Sequence, residues 1–110
     1  MAKKVFQNDH LELAAVAKAL SHPARIYIME RLLSENRCDG VGCCTSGEMI
    51  NDIPIARSTL SQHLKELKAA GLIQGEVELP TIRYCVDTKN WEKAKNLLIE
   101  FLNPKECKEK

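Results

Sequence analysis

The pattern of apolar and polar positions along the chain predicts five helices and one β-hairpin. Apolar residues recur at helical spacing over most of the chain, and after Gly71 the period changes from 3.6 to 2. The predicted helices cover residues 11–20, 24–35, 46–52, 56–70 and 91–102, and the predicted hairpin covers residues 72–87. The order is four helices, two strands and a last helix, which defines a mainly α fold with a β-hairpin wing (α+β).

Residues with strong terminal preferences mark three of the helix ends. Asp9 and Glu12 have the spacing of a capping box, as do Thr45 and Glu48 at the start of the short third helix. Gly71 follows the fourth helix, where a glycine commonly ends a helix. The intervening segment 36–44 has no periodicity and is predicted to be a loop, and the charged tail 104–110 is expected to fray.

Length and composition favour one packed domain over residues 1–110 rather than a disordered chain. The chain has 110 residues, of which 45% are hydrophobic, and a formal net charge of only +1. A nucleic-acid partner would therefore have to meet locally concentrated positive charge. No export signal or membrane-spanning apolar run is visible, so a cytoplasmic protein without a membrane partner is expected.

Five cysteines are many for this length, and three of them cluster in the predicted loop. Cys38, Cys43 and Cys44 lie within seven positions, and Cys107 in the tail is a possible further ligand. Such a cluster suits a soft ion, either As(III) or Sb(III) on three sulfurs or zinc or cadmium with a fourth ligand. A redox switch with Cys107, through a disulfide or persulfide, and no role at all remain open alternatives. Cys85, in the alternating hairpin, is expected to be a small buried residue.

Two sequence motifs resemble the ArsR/SmtB family of winged helix-turn-helix repressors. Residues 19–25, ALSHPAR, resemble an opening motif of the family, and residues 58–73 resemble its recognition helix and the entry to its wing. The resemblance covers about residues 10–102, and it implies a helix-turn-helix over about 45–70 and a wing over about 72–87. It also implies a homodimer that sits on operator DNA and leaves when it binds a metal, a metalloid or another inducer.

The resemblance and the chemistry of the recognition helix together predict the DNA contacts. Residues near the helix N-terminus should enter the major groove, where hydroxyl, amide and guanidinium groups read base edges. The predicted contacts are Arg57, Ser58, Thr59, Ser61, Gln62, His63 and Lys65 on the helix, with Arg83 on the wing. Glu76 and Glu78 share one strand face, so that face either points away from DNA or contributes little to binding.

The first and last helices should form the dimer interface, as the resemblance implies. The candidate residues are Leu11, Leu13, Trp91, Leu97, Leu98 and Phe101. A dimer would space its recognition helices by about 34 Å, one turn of DNA, and would read a pseudo-palindromic operator.

The family's usual sensor cysteines are missing, because their positions align with Thr45 and Gly47. The sequence therefore points to a repressor that is released by a thiophilic ion at Cys38, Cys43 and Cys44, with no obligatory cofactor. A thiol- or persulfide-sensing repressor, and an interaction module that has lost DNA binding, are the alternatives. No phosphate loop, nucleophile elbow or paired-carboxylate motif supports an enzyme.

Overall fold

Five helices and three strands make up the part of the chain that a computed structural model describes, residues 6–34, 43–78 and 81–103. In chain order they are α1 (Asn8–Ala19), α2 (Pro23–Ser34), β1 (Cys43–Thr45), α3 (Ser46–Ile50), α4 (Arg57–Ala69), β2 (Ile73–Glu78), β3 (Thr81–Val86) and α5 (Thr88–Leu102). The mainly helical fold with a hairpin is confirmed, and β1 is an addition to the predicted order. The predicted frayed tail, residues 104–110, lies outside the described residues.

The start of α1 differs from the sequence prediction. The helix begins at Asn8, and the backbone N–H of Gln7 donates a hydrogen bond to Nδ1 of His10 at 3.0 Å. Asp9 thus lies inside the first turn, where its carboxylate interacts favourably with the positive end of the helix dipole. The predicted capping box of Asp9 with Glu12 is wrong, because the helix starts one residue before Asp9.

The ends of α3 and α4 follow the predicted capping signals. Thr45 Oγ1 accepts a hydrogen bond from the Glu48 N–H at 3.2 Å, and a Glu48 carboxylate oxygen accepts one from the Thr45 N–H at 2.8 Å. Gly71 follows α4 with φ at +82°, a conformation that side chains rarely adopt. These two signals fix the beginning of the helix-turn-helix and the exit into the wing.

The sheet is antiparallel, with strand order β1-β3-β2. The loop prediction was wrong at residues 43 and 44, which pair with β3 in the register Cys43↔Cys85 and Cys44↔Tyr84. Strand β1 has only three residues, and it forms because β3 offers a free edge on that side. It therefore connects the start of the helix-turn-helix directly to the wing.

One core unites all five helices with the inner face of the sheet. The largest side chains that are fully buried are Ile28, Leu32, Met49, Leu60, Leu64, Leu67, Leu72 and Ile73. Because α4 contributes three of these leucines from one side, its other side faces outward. None of the helices in the described ranges combines the length and apolar character that crossing a bilayer requires.

Candidate nucleic-acid interface and cysteine pair

The outer face of α4 carries a polar surface that extends from its first turn. Six of the predicted DNA contacts on α4 are exposed, namely Arg57, Ser58, Thr59, Ser61, Gln62 and Lys65. The N-cap residue is Ala56, whose side chain makes no capping hydrogen bond, so the first-turn N–H groups gain no side-chain partner from it. Such a helix end attracts anions, and hydroxyl and guanidinium groups surround it here.

The side chain of Gln62 is held by its own helix. Its Nε2 donates a hydrogen bond to a carboxylate oxygen of Glu66 at 3.2 Å. This contact joins residues one turn apart on the exposed side of α4. To read a base edge with both its oxygen and its nitrogen, the Gln62 amide must exchange this carboxylate for the base.

His63, although predicted to contact DNA, does not lie on this exposed outer face. The residue is only 7% exposed, and Arg25 Nε of α2 donates a hydrogen bond to His63 Nδ1 at 3.1 Å. The His22 ring lies against it, with ring centroids 4.3 Å apart. A signal was available in the sequence, because position 63 falls three residues after Leu60 on the inward stripe. His63 thus packs α4 against α2 and the residue before it.

Burial lowers the pKa of His63, and the nearby His22 and Arg25 lower it further. The folded state therefore favours the neutral form of His63, which agrees with Nδ1 accepting the hydrogen bond from Arg25. A lowered pKa in the folded state means that the unfolded chain binds the proton first as the pH falls. The stability that depends on neutral His63 is complete above the ordinary pKa of 6.5 and is lost as the pH falls towards the lower folded value.

We expect the free energy of unfolding to fall between pH 7 and pH 5 by more in the parent chain than in His63→Gln. Glutamine offers an amide oxygen to Arg25 but cannot take up a proton in this range. Urea unfolding of both chains at a series of pH values and one protein concentration measures the difference. If the free energy of unfolding depends on pH equally in the parent chain and in His63→Gln, protonation of His63 does not destabilise the folded state.

The wing presents Arg83 beside an acidic partner. In the sheet register Arg83 lies between Thr45 of β1 and Glu76 of β2, and its side chain is half-buried. The carboxylate of Glu76 is exposed on β2, directly across from it. Opposite charges at directly facing strand positions attract, so Arg83 presents less net positive charge to a phosphate than an isolated arginine would.

The cysteines of β1 diverge instead of forming one cluster. Successive residues of a strand point to opposite faces, and here Cys43 forms a disulfide with Cys85 while Cys44 is buried in the core. Cys85 is buried, as predicted, but it is covalently paired. Cys38 and Cys107 lie outside the described residues, and within the described ranges no three His, Cys, Asp or Glu side chains are placed to hold a metal ion.

The thiol of Cys44 is a poor nucleophile in this position. Burial raises its pKa, and this outweighs the lowering effect of the Arg31 guanidinium beside it. Glu48, which also contacts the thiol, raises the pKa further. Cys44 would have to leave the core before it could share an ion with Cys43.

A second candidate surface is an apolar groove between α1 and α5, with a volume of about 790 Å³. Its lining is almost entirely hydrophobic and comprises Phe6, His10, Leu11, Leu13, Ala14, Ala17, Leu98, Phe101 and Leu102. Four of the six predicted interface residues thus line one groove, and Phe101 is 69% exposed. Of the other two, Leu97 lines neighbouring concavities, and Trp91 packs against the core.

Comparisons with known proteins agree with this architecture. A model of a helix-turn-helix domain matches residues 20–76. The chain is 31% identical to the HTH-type transcriptional regulator CmtR of Mycobacterium tuberculosis over 82% of its length and 70% of that protein. It is also 31% identical to the regulator YgaV of Escherichia coli, over 87% of both chains. An ArsR-like transcriptional regulator from Rhodococcus superposes with a TM-score of 0.64 at 25% identity, covering 86% of this chain and 83% of that one.

Proposed function

Because the chain belongs to the ArsR/SmtB family of winged helix-turn-helix transcriptional regulators, we propose that it represses transcription as a homodimer bound to an operator. Members of this family are DNA-binding regulators and not enzymes. In this proposal the outer face of α4 enters the major groove, and the protein works in the cytoplasm, where the DNA is.

The observation that carries the proposal is the division of α4 into two faces. Leu60, Leu64 and Leu67 anchor the helix in the core, so the exposed residues are held on a rigid support. Its outer face joins an arginine and a lysine with hydroxyl and amide groups, which supply phosphate attraction and base reading together.

A homodimer explains the groove between α1 and α5. A contiguous apolar surface containing Leu11, Phe101 and Leu102, each more than half exposed, is unusual for a monomer of this size. A second copy of the same groove would cover it through a two-fold interface, since the same patch serves both subunits. Two recognition helices about 34 Å apart would then fit successive major grooves on one side of the DNA.

For the signal we propose a thiol-directed agent that sets the affinity for the operator. Cys43 and Cys85 bring two sulfurs together on adjacent strands. Two sulfurs are enough for dithiol–disulfide chemistry. Zinc or cadmium would need four ligands, and As(III) or Sb(III) would need three sulfurs. An ion bound by Cys38, Cys43 and Cys44 would require Cys44 to leave the core.

We expect Arg57→Ala and Gln62→Ala each to weaken operator binding by about 1–3 kcal/mol, or about 5- to 150-fold. Arg57 would lose a charged contact near the start of α4, and Gln62 would lose an amide that pairs with a base edge. Fluorescence anisotropy measures the affinity, with a duplex that the parent protein has selected from a random-sequence library. Asn96, an exposed amide on α5, supplies the matched control, Asn96→Ala, which should bind as the parent does.

The specificity of binding separates repression from the alternative function. A regulator should prefer the selected duplex over a scrambled one and should bind less tightly as salt rises. A folded dimer that binds neither duplex would instead support an interaction module on the same scaffold. Operator affinities that are the same for Arg57→Ala, Gln62→Ala and the parent would refute the docking of α4.

A further inference from the structure

We propose that Cys43 and Cys85 form a reversible disulfide that locks the wing to the helix-turn-helix and so strengthens operator binding. The proposal rests on the proposed function, because it assigns the site through which a thiol signal acts on DNA affinity. It keeps Cys43 from the expected cluster and the disulfide chemistry of one open alternative, but the partner of Cys43 is Cys85 on β3.

The pair joins two parts of the chain that are distant in sequence. Cys43 and Cys85 are separated by 42 positions and face each other in the register of β1 and β3, with their Cα atoms 4.0 Å apart. Cys43 lies two residues before Thr45, which caps α3 and begins the helix-turn-helix. Cys85 lies two residues after Arg83, the predicted wing contact with DNA.

The bond therefore fixes the orientation of the helix-turn-helix relative to the wing. Without it, β1 is held to β3 only by the backbone pairing of three residues and by side-chain packing. In the disulfide form the capping box of Thr45 and Glu48 is intact and the outer face of α4 is exposed. The locked arrangement is thus preorganised for DNA, and preorganisation strengthens binding because less freedom is lost in the complex.

The chemistry is a thiol–disulfide exchange with a small-molecule disulfide as the oxidant. One protein thiolate attacks the small disulfide, which forms a mixed disulfide and releases one small thiolate. The second protein thiolate then attacks the mixed disulfide, so the Cys43–Cys85 bond forms and a second small thiolate leaves. The two protons from the protein thiols end on the two released small thiols, and a small dithiol reverses the reaction.

Among the three cysteines in the described part of the chain, the surroundings favour exchange at this pair. Cys43 is half-buried, so a small disulfide or thiol can approach it from solvent, whereas Cys85 is 9% exposed. Cys44 is 4% exposed on the opposite face of β1, within the core. Disulfides in a reducing compartment are usually transient and serve catalysis or sensing, so a bond at this junction suits a switch.

The test compares the oxidised and reduced full-length protein. Each form is prepared by incubation with oxidised glutathione or with dithiothreitol, and peptide mapping by mass spectrometry identifies the linked cysteines. Operator affinity is then measured by fluorescence anisotropy, with the same series of protein concentrations and the same salt concentration for both forms. We expect a Cys43–Cys85 linked peptide and at least about 5-fold tighter binding by the oxidised form, the lower end of typical coupling between sites.

Two double variants locate the switch. Cys43→Ser/Cys85→Ser should bind the operator with one affinity under both conditions, and Cys43→Ala/Cys85→Ala repeats this test if serine is poorly tolerated beside the core. Cys38→Ser/Cys107→Ser is the matched control, which removes two other cysteines and should keep the full redox response.

The outcomes separate this inference from the proposed function. Equal or weaker binding by the oxidised parent, or a redox response lost in Cys38→Ser/Cys107→Ser, overturns the switch while leaving DNA binding in place. A protein that forms the bond but binds no duplex in either form overturns the proposed function, and the coupling to DNA with it.

Discussion

We expect Phe101→Glu to convert the protein from a dimer to a monomer and to lower operator affinity by at least about 100-fold. Phe101 is 69% exposed and lines the apolar groove between α1 and α5, so a glutamate there would bury a charge in the proposed interface. A monomer reaches one half-site only and loses the effective concentration that the second recognition helix gains from the first. Sedimentation equilibrium measures the mass, and anisotropy with the selected duplex measures the affinity.

Ile99→Glu provides a matched control for this substitution. Ile99 lies on the same helix and is 54% exposed, but it does not line the groove. It receives the same change from an apolar residue to a carboxylate, so effects of charge or helix propensity alone should appear equally in both variants. If Phe101→Glu remains a dimer with parental affinity, the groove between α1 and α5 is not the interface.

The helices could be predicted because their signals are local. The burial of Leu60, Leu64 and Leu67 follows from their spacing alone, and Thr45 and Gly71 mark helix ends through their own side-chain and backbone preferences. The remaining positions of α4, outside the leucine stripe, then form its exposed face. The fold and most of the predicted DNA surface therefore depend on patterns that are readable within one element.

The side of α4 on which His63 lies was harder to predict than the helix itself. Its spacing from Leu60 matched the buried stripe, but a histidine on a recognition helix also suits a DNA contact. Arg25 decides between the two, because it supplies the hydrogen bond that makes burial of the ring tolerable. Arg25 is 38 positions away in the sequence, so no local pattern reveals this partner.

The pairing of Cys43 with Cys85 could not be predicted for the same reason. Strand β1 has three residues and no periodicity, and it exists only where β3 supplies hydrogen-bonding partners. From the sequence, the adjacent Cys43 and Cys44 were predicted to be two of the ligands of one soft ion. In a strand the same adjacency sends their side chains to opposite faces, so Cys44 enters the core while Cys43 meets Cys85.

We expect reduction of the Cys43–Cys85 bond to lower the free energy of unfolding by about 4 kcal/mol, a large part of the total for a small domain. The bond closes a loop across 42 positions, and the entropy that it removes from the unfolded chain grows with loop length. Urea unfolding of the parent with and without dithiothreitol measures the difference at a fixed protein concentration, since a dimer's stability depends on concentration. Cys43→Ser/Cys85→Ser should unfold at one urea concentration in both conditions. A parent midpoint that is insensitive to dithiothreitol would mean that the bond does not constrain the unfolded chain in solution.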